Sequence, residues 1–198
     1  MNEQQHETLE TLRNAAKQDQ WNLCREILAK LLPDVRQTDS IKIVVRRANR
    51  FLSDLSQFHP EDANIIKSIE ALNDIKSLEA LNQQGQLIDP VLEKYWDWPG
   101  VSNFRNAFKG ISKPQQYFEH SGKYIDTIVS LLSGILMATT TNGYWGGNPE
   151  FSKTFFGSDV RKSVVMLAKH NSDPKQIALR TSLWVEVAND LEMALQAG

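Results

Sequence analysis

Helical periodicity runs through nearly the whole chain, and this pattern restricts the fold more than any other feature. In most segments apolar residues recur every three or four positions, and no segment shows clean two-residue alternation bounded by turn residues. The stripe that begins at Ile41 and Val44 and ends at Leu55 and Phe58 is a clear example. We therefore predict an all-α protein, an irregular multi-helix bundle of about eight to ten helices.

Polar caps and prolines mark the ends of several helices. Asp173 followed by Pro174 predicts the start of the last helix, which runs nearly to residue 198. Asp19 is predicted to cap the second helix, and Ser40 the third. The most apolar helix is predicted over residues 123–140.

Small residues recur every four positions in this apolar helix, at Ser130, Gly134 and Ala138. Such spacing favours a close approach of two helix backbones. The helix is therefore predicted to lie at the centre of the bundle.

A short internal repeat raises the question of where the fourth helix ends. Residues 68–73 read SIEALN and residues 77–82 read SLEALN, an offset of nine residues or two and a half helical turns. In one helix the two copies would face opposite sides, and the alternative is a break near Asn73 and Asp74. We favour one helix covered on both sides.

A possible domain joint follows this repeat. Gly85 is predicted to end the helical region, and Asp89 with Pro90 to open the next helix. We predict one helical domain over residues 1–198. Its two candidate subdomains are the N-terminal helices, 1–84, and a C-terminal helical core, 85–198.

A glycine-rich and aromatic loop is predicted between the late helices, over residues 139–157. The segment reads TTTNGYWGGNPEFSKTFFG and holds four of the ten glycines. Large aromatic side chains in such a loop are either buried under the fold or offered to a partner, and the sequence leaves both open. The candidate binding residues are Tyr144, Trp145, Gly146, Gly147, Asn148 and Phe151.

Composition indicates an ordinary globular protein. Hydrophobic residues make up 41% and charged residues 23%, and the formal net charge of −2 argues against a dedicated nucleic-acid coat. The polar N-terminus resembles no signal peptide, and the apolar run 124–138 is shorter than the roughly 20 residues of a membrane span. We expect a cytoplasmic protein without a membrane partner.

Motifs for catalysis or cofactor binding are missing from the sequence. The four histidines do not pair at helical spacing, and GxSxG, GxGxxG and the P-loop pattern are absent. The single cysteine, Cys24, lies on an apolar stripe and is predicted to be a buried thiol. We predict no cofactor and no metal, name no catalytic residues, and lean against an enzyme.

One helix face is basic. Lys42, Arg46 and Arg50 are spaced at i, i+4 and i+8, with Arg47 at the edge and Arg36 nearby. Such a ridge could meet a phosphate backbone, but we favour a solvated face balanced by nearby acids.

These observations favour a non-enzymatic helical interaction or regulatory module, such as an adaptor, inhibitor or immunity-type protein. A protein partner or self-association is expected, and the segment 177–195 is the first candidate for dimerisation. One alternative is an enzyme or small-ligand binder with a site near the aromatic loop, lined by Tyr144, Trp145, Asn148 and His120. The other is a nucleic-acid accessory protein that uses the basic face.

Overall fold

The computed structural model describes residues 1–96, 98–111, 121–145 and 172–198. Within these ranges it consists of eight α-helices and one 3₁₀ turn, without strands, which confirms the predicted all-α bundle. The helices are α1 (Glu3–Lys17), α2 (Trp21–Leu31), α3 (Gln37–Phe58), α4 (Ala63–Asn73), α5 (Leu78–Glu93), α6 (Val101–Lys109), α7 (Ser121–Trp145) and α8 (Pro174–Ala197), with the 3₁₀ turn at Leu32–Asp34.

Helices α1 and α2 pack on each other and are joined by a tight turn. Asp19 in this turn has a positive φ of 54°, and Gln20 occupies the N-cap position without a side-chain capping bond. The predicted Asp19 cap is therefore wrong. Its carboxylate instead accepts hydrogen bonds from Arg180, with Nε 2.8 Å from Oδ1, which fastens the turn to α8.

Helix α3 lies at the centre of the fold and packs against α4, α7 and α8. Its apolar stripe is buried as predicted from Ile41 to Leu55, but Phe58 at its end is 42% exposed. The helix begins at Gln37 rather than after Ser40. Ser40 is already in the first turn, where its hydroxyl bonds the Gln37 carbonyl.

The internal repeat is divided between two helices, so the favoured single helix is wrong and the alternative break is correct. Helix α4 ends at Asn73, and Ser77 caps α5 by accepting a hydrogen bond from the Ala80 N–H at 3.1 Å. The break lets both copies bury a leucine, Leu72 in the first and Leu81 in the second.

Helix α5 continues through the predicted joint. Gly85 does not end the helix, which continues to Glu93. A Cβ at this position would lie 2.5 Å from the Phe108 ring, so the glycine allows α6 to pack closely on α5. Pro90 lies inside the helix rather than at a start. The proposed boundary at residue 84 falls within α5, and the division into subdomains stays a prediction.

Helix α7 makes the close backbone contact that its small residues predict. A Cβ on Gly134 would lie 2.6 Å from Ala107 Cβ of α6, and Ala138 is fully buried beside Gly100. Ser130, by contrast, is exposed.

The predicted loop does not begin at residue 139, because α7 continues to Trp145. Thr139, Thr140 and Thr141 each bond the carbonyl four residues earlier and so remain compatible with the helix. The rest of the predicted loop, residues 146–157, lies outside the described part of the chain.

By length and composition, Lys123–Gly143 of α7 could cross a membrane, with a mean hydropathy of 1.3. The sequence argument that this run is too short is therefore wrong. The core helix of a soluble protein passes the same test, and 56% of the segment is buried inside the fold. Localisation stays a prediction.

The last helix begins as predicted, because Asp173 caps α8 and Pro174 follows at its first position. Its apolar stripe packs within the same chain against α1, α3 and α7. Trp184 is buried edge-to-face on Trp21, with the ring centroids 5.3 Å apart. This segment, the first candidate for dimerisation, thus contributes its stripe to the core of its own chain.

Candidate functional site

A groove of about 220 Å³ lies between the N-terminal half of α3 and the C-terminal half of α8, and we call it the α3–α8 groove. Cations on its rim flank a partly apolar floor. Its lining residues are Arg36, Asp39, Lys42, Ile43, Arg46, Asp190, Met193, Ala194 and Ala197.

The basic face predicted on α3 forms one side of this groove and is paired with acids. Lys42 and Arg36 both bond Asp39, at 3.0 and 2.7 Å. Arg46 bonds Asp190 at 2.5 Å, across 144 residues of sequence.

The neighbouring arginines pair with α8 as well. Arg50 bonds both carboxylate oxygens of Glu186, at 2.6 and 2.7 Å. Arg47 is buried rather than at the edge of a solvated face, and it is held between Glu186 and Asp190. The acids of α8 and the apolar Met193 were not among the residues chosen from the sequence.

These pairs shift the pKa values of two carboxyl groups. The pKa of Asp39 lies below its ordinary value chiefly because Lys42 donates a hydrogen bond to it, with Arg36 adding to the effect against the opposing influence of burial. Burial alone would raise the pKa of Glu186, but the hydrogen bond and charge of Arg50, with the charge of Arg47, lower it. Both groups are therefore held as carboxylates at neutral pH.

The second depression lies between α5 and α6 and has a volume of about 190 Å³; we call it the α5–α6 cleft. Asp89 and Arg105 form a two-pronged ion pair in it, at 2.6 and 3.1 Å. The hydrogen bond from Arg105 is the main cause that lowers the pKa of Asp89. The lining residues are Asn82, Gly85, Gln86, Asp89, Pro90, Arg105, Phe108 and Lys109.

An aromatic cluster connects the end of α3 with the segment after α5. The His59 ring packs between Tyr95 and Trp98, at centroid distances of 4.2 and 4.7 Å. Trp98 Nε1 donates to the Asn142 Oδ1 of α7 at 2.9 Å. This cluster fixes the end of α7 that leads toward residues 146–157.

Asp62 is the polar anchor beside this cluster. It caps α4 through the Asn64 N–H and also accepts hydrogen bonds from Lys94 and from the Tyr95 hydroxyl, at 3.1 and 2.9 Å. Burial raises its pKa, but these donors together lower the pKa to about 2. Burial and the bond to Asp62 raise the pKa of Tyr95 to about 12.

We expect acid to weaken the fold partly through Asp62. Its pKa of about 2 in the folded protein is below the ordinary 3.8, so the unfolded chain takes up the proton first as the pH falls. The stabilisation from the ionised Asp62 is complete when the pH is above the ordinary pKa and is lost as the pH falls through the pKa of the folded protein. Between about pH 6 and about pH 3, the free energy of unfolding should fall by on the order of 1–2 kcal/mol more in the natural protein than in Asp62→Asn, measured by urea unfolding.

Asp74→Asn is the matched control for this experiment, because Asp74 is exposed at the other end of α4. It should leave the acid dependence of unfolding unchanged. Equal pH slopes for the natural protein and Asp62→Asn would contradict the role of Asp62.

The candidate residues of the aromatic loop are only partly placed. The backbones of Tyr144 and Trp145 belong to α7, not to a loop. Gly146, Gly147, Asn148 and Phe151, together with His120, lie outside the described residues. A binding role for this segment stays a prediction.

Cys24 is a buried thiol, as predicted. It has no exposed surface, and burial raises its pKa to about 12, with the Asp19 charge adding to the shift. A thiol of this kind is almost entirely protonated at neutral pH and is a poor nucleophile. Over the described ranges, no group of three or more His, Cys, Asp or Glu residues is arranged to hold a metal ion.

Comparisons with protein-family models, with curated proteins and with solved structures returned no significant match. The assignment of a function therefore depends on the two depressions and their chemistry.

Proposed function

We propose that this protein is a non-enzymatic interaction module whose α3–α8 groove binds an acidic, amphipathic helical segment of a protein partner. The observation that carries the proposal is an apolar floor flanked by three exposed cations. The side chains of Arg36, Lys42 and Arg46 are each more than half exposed, although each has an ion-pair partner.

The floor of the groove suits the apolar face of a helix. Met193 is 53% exposed, and Ala194 and Ala197 continue the same face of α8 toward its end. Methionine is flexible and adapts to differently shaped apolar partners. Grooves between two helices commonly bind an amphipathic helix through anchors at i, i+3, i+4 and i+7.

Charge supports an acidic occupant. Among the residues that line the groove, the cations Arg36, Lys42 and Arg46 outnumber the acids Asp39 and Asp190. The whole chain, by contrast, has a formal net charge of −2. The groove is thus a locally positive area on a weakly negative protein, which favours encounter with a negatively charged segment.

The residues that line the groove favour a peptide over nucleic acid. Asp39 and Asp190 lie among the rim cations, so a continuous phosphate backbone would pass close to carboxylates. Among the described residues, no aromatic side chain lines the groove for stacking on bases. A peptide can place its acidic residues beside the cations and its apolar residues over Met193.

A reducing compartment such as the cytoplasm would suit this module. Its one cysteine is buried in the core, so the described fold uses no disulfide.

The test is selection of peptides from a displayed random library on the immobilised protein, followed by fluorescence anisotropy with the selected sequences. We expect the selected peptides to combine Asp or Glu with apolar residues at helical spacing. Lys42→Gln/Arg46→Gln should weaken their binding by about tenfold, as expected for the loss of two exposed charge contacts of under about 1 kcal/mol each. Met193→Asp should weaken it as well.

Lys67→Gln/Lys76→Gln is the matched control, because both lysines are exposed on or next to α4, away from the groove. The proposal fails if selection enriches no acidic peptides, or if the groove variant binds them as tightly as the control. A fluorescent DNA duplex or single strand that binds more tightly than the peptides, with strong salt dependence, would replace it with the nucleic-acid alternative.

A further inference from the structure

We propose that the α5–α6 cleft binds a small zwitterion of the amino-acid type. The cleft lies on other helices than the α3–α8 groove, and this proposal is independent of the proposed peptide binding. It depends on the size of the cleft, its balanced charge and the buried polar groups on its wall.

The size of the cleft selects a small ligand. Its volume of about 190 Å³ is below the roughly 300–1,000 Å³ of clefts that hold drug-sized molecules. It corresponds to about six water molecules at roughly 30 Å³ each. A single amino acid is of this size, whereas a nucleotide is too large.

The charge of the cleft selects a molecule without net charge. Arg105 and Lys109 line the cleft together with one carboxylate, Asp89. A second carboxylate, Glu93, lies next to the cleft, 3.5 Å from Arg105, so two cations are offset by two anions. A phosphate dianion placed beside Lys109 would also face Asp89, whose carboxylate is 3.7 Å from the Lys109 ammonium. A zwitterion can instead present its carboxylate to the lysine and its ammonium to the acceptors of α5.

Two acceptors on α5 can hold the ammonium group. Pro90 has no N–H, so the Gln86 carbonyl lacks its usual helical hydrogen bond, and both residues line the cleft. Asn82, one turn earlier on the same face, is only 4% exposed. Its side-chain amide makes no hydrogen bond with a described residue and keeps some contact with solvent, so its oxygen can accept a hydrogen bond from a ligand in the cleft.

Lys109 can hold the ligand carboxylate. Its side chain is 54% exposed, and its ion-pair partner Asp89 is already held by two hydrogen bonds from Arg105. An ammonium has three N–H groups, so at least two of them remain to donate to a ligand when one faces Asp89. The Phe108 ring and the Pro90 ring offer an apolar wall for the side chain of the ligand.

The test is isothermal titration calorimetry of the full chain with the proteinogenic amino acids, offered singly, and with acetate and methylammonium as half-molecules. We expect at least one amino acid with an apolar side chain to bind, and both half-molecules to bind far more weakly. Lys109→Gln and Asn82→Leu should each weaken binding by about tenfold or more, as expected for the loss of a hydrogen bond to a charged group.

Asn82→Leu also separates binding from folding. It replaces an amide that makes no hydrogen bond with a described residue by an apolar side chain of similar size, so its melting temperature should stay close to that of the natural protein. Lys76→Gln, an exposed lysine between α4 and α5, is the control and should bind normally. The proposal is overturned if no amino acid binds more tightly than the half-molecules, or if binding survives Lys109→Gln, a surface change that the fold tolerates.

Discussion

Asp190→Ala is expected to lower the free energy of unfolding by about 2–4 kcal/mol. Asp190 is buried and bonds both the exposed Arg46 and the buried Arg47. Its loss would leave the Arg47 guanidinium, whose side chain is 9% exposed, with Glu186 as its one remaining carboxylate partner among the described residues. Breaking a buried ion pair from one side typically costs about 3–5 kcal/mol, and we expect a somewhat smaller loss of about 2–4 kcal/mol because Glu186 still pairs with Arg47.

Urea unfolding of Asp190→Ala measures this effect, and Glu10→Ala is its control. The Glu10 side chain is 47% exposed and pairs with Arg13 at 2.6 Å. Arg13 keeps Glu192 as a second carboxylate partner in this variant, so the loss should be under about 1 kcal/mol. Equal losses in the two variants would mean that the Arg47 pair is not a buried one in solution.

The double variant Arg47→Leu/Asp190→Leu separates the ion pair from the packing around it. With both charges removed, no buried charge is left without compensation, and apolar replacements of similar size are often neutral or stabilising. We therefore expect the double variant to be more stable than Asp190→Ala. A double variant as unstable as the single one would show that the site needs charge for a reason other than pairing.

The sequence predicted the helices best where the signal is local. Asp173 followed by Pro174 fixes the start of α8 within the sequence itself, and the apolar stripe of α3 is buried from Ile41 to Leu55 as the periodicity indicates. The starts of α2 and α3 were less certain, because polar residues at helix ends have competing uses. Asp19, predicted as a cap, is used by the distant Arg180 instead.

Contacts between distant segments account for most of what the sequence did not predict. The spacing of Lys42, Arg46 and Arg50 shows a ridge on α3 but cannot show which acids face it. Asp190 lies 143 residues beyond Arg47, and only the packing of α8 on α3 brings the two together.

One usable signal on α8 was overlooked. Glu186, Asp190, Met193 and Ala197 recur at helical spacing beside the apolar stripe and form a second face. An acid such as Asp190, flanked by Val187 and Leu191, is a candidate for a buried pair with a cation elsewhere. Together with the ridge on α3, it could have indicated the α3–α8 groove.

Glycine and proline were misread on α5 for a related reason. Gly85 and Pro90 are usual signs of a helix end. In α5 the glycine makes room for Phe108 of α6, a tertiary contact that local sequence does not reveal. Pro90 lies inside the helix and leaves the Gln86 carbonyl without its usual hydrogen bond, and both residues line the α5–α6 cleft.

Gly100→Ala is expected to lower the free energy of unfolding by about 2–5 kcal/mol. Gly100 has a φ of +86°, which costs an L-residue roughly 1–2 kcal/mol. A Cβ there would also lie 2.3 Å from the Ala138 carbonyl oxygen and 3.2 Å from the Phe51 ring. Relieving this overlap requires α7 to move away from Gly100, and such overpacking typically costs about 1–3 kcal/mol more.

Thermal and urea unfolding of Gly100→Ala can be compared with those of Gly110→Ala at the other end of α6. Gly110 has an ordinary helical φ of −61°, and its added Cβ would come no closer than 3.3 Å to a neighbouring atom, so a change within about 1 kcal/mol is expected. Adding Ala138→Gly should not rescue Gly100→Ala, because the obstructing atom is a backbone oxygen. Rescue by that change, or equal stability of the two alanine variants, would contradict the close contact between Gly100 and α7.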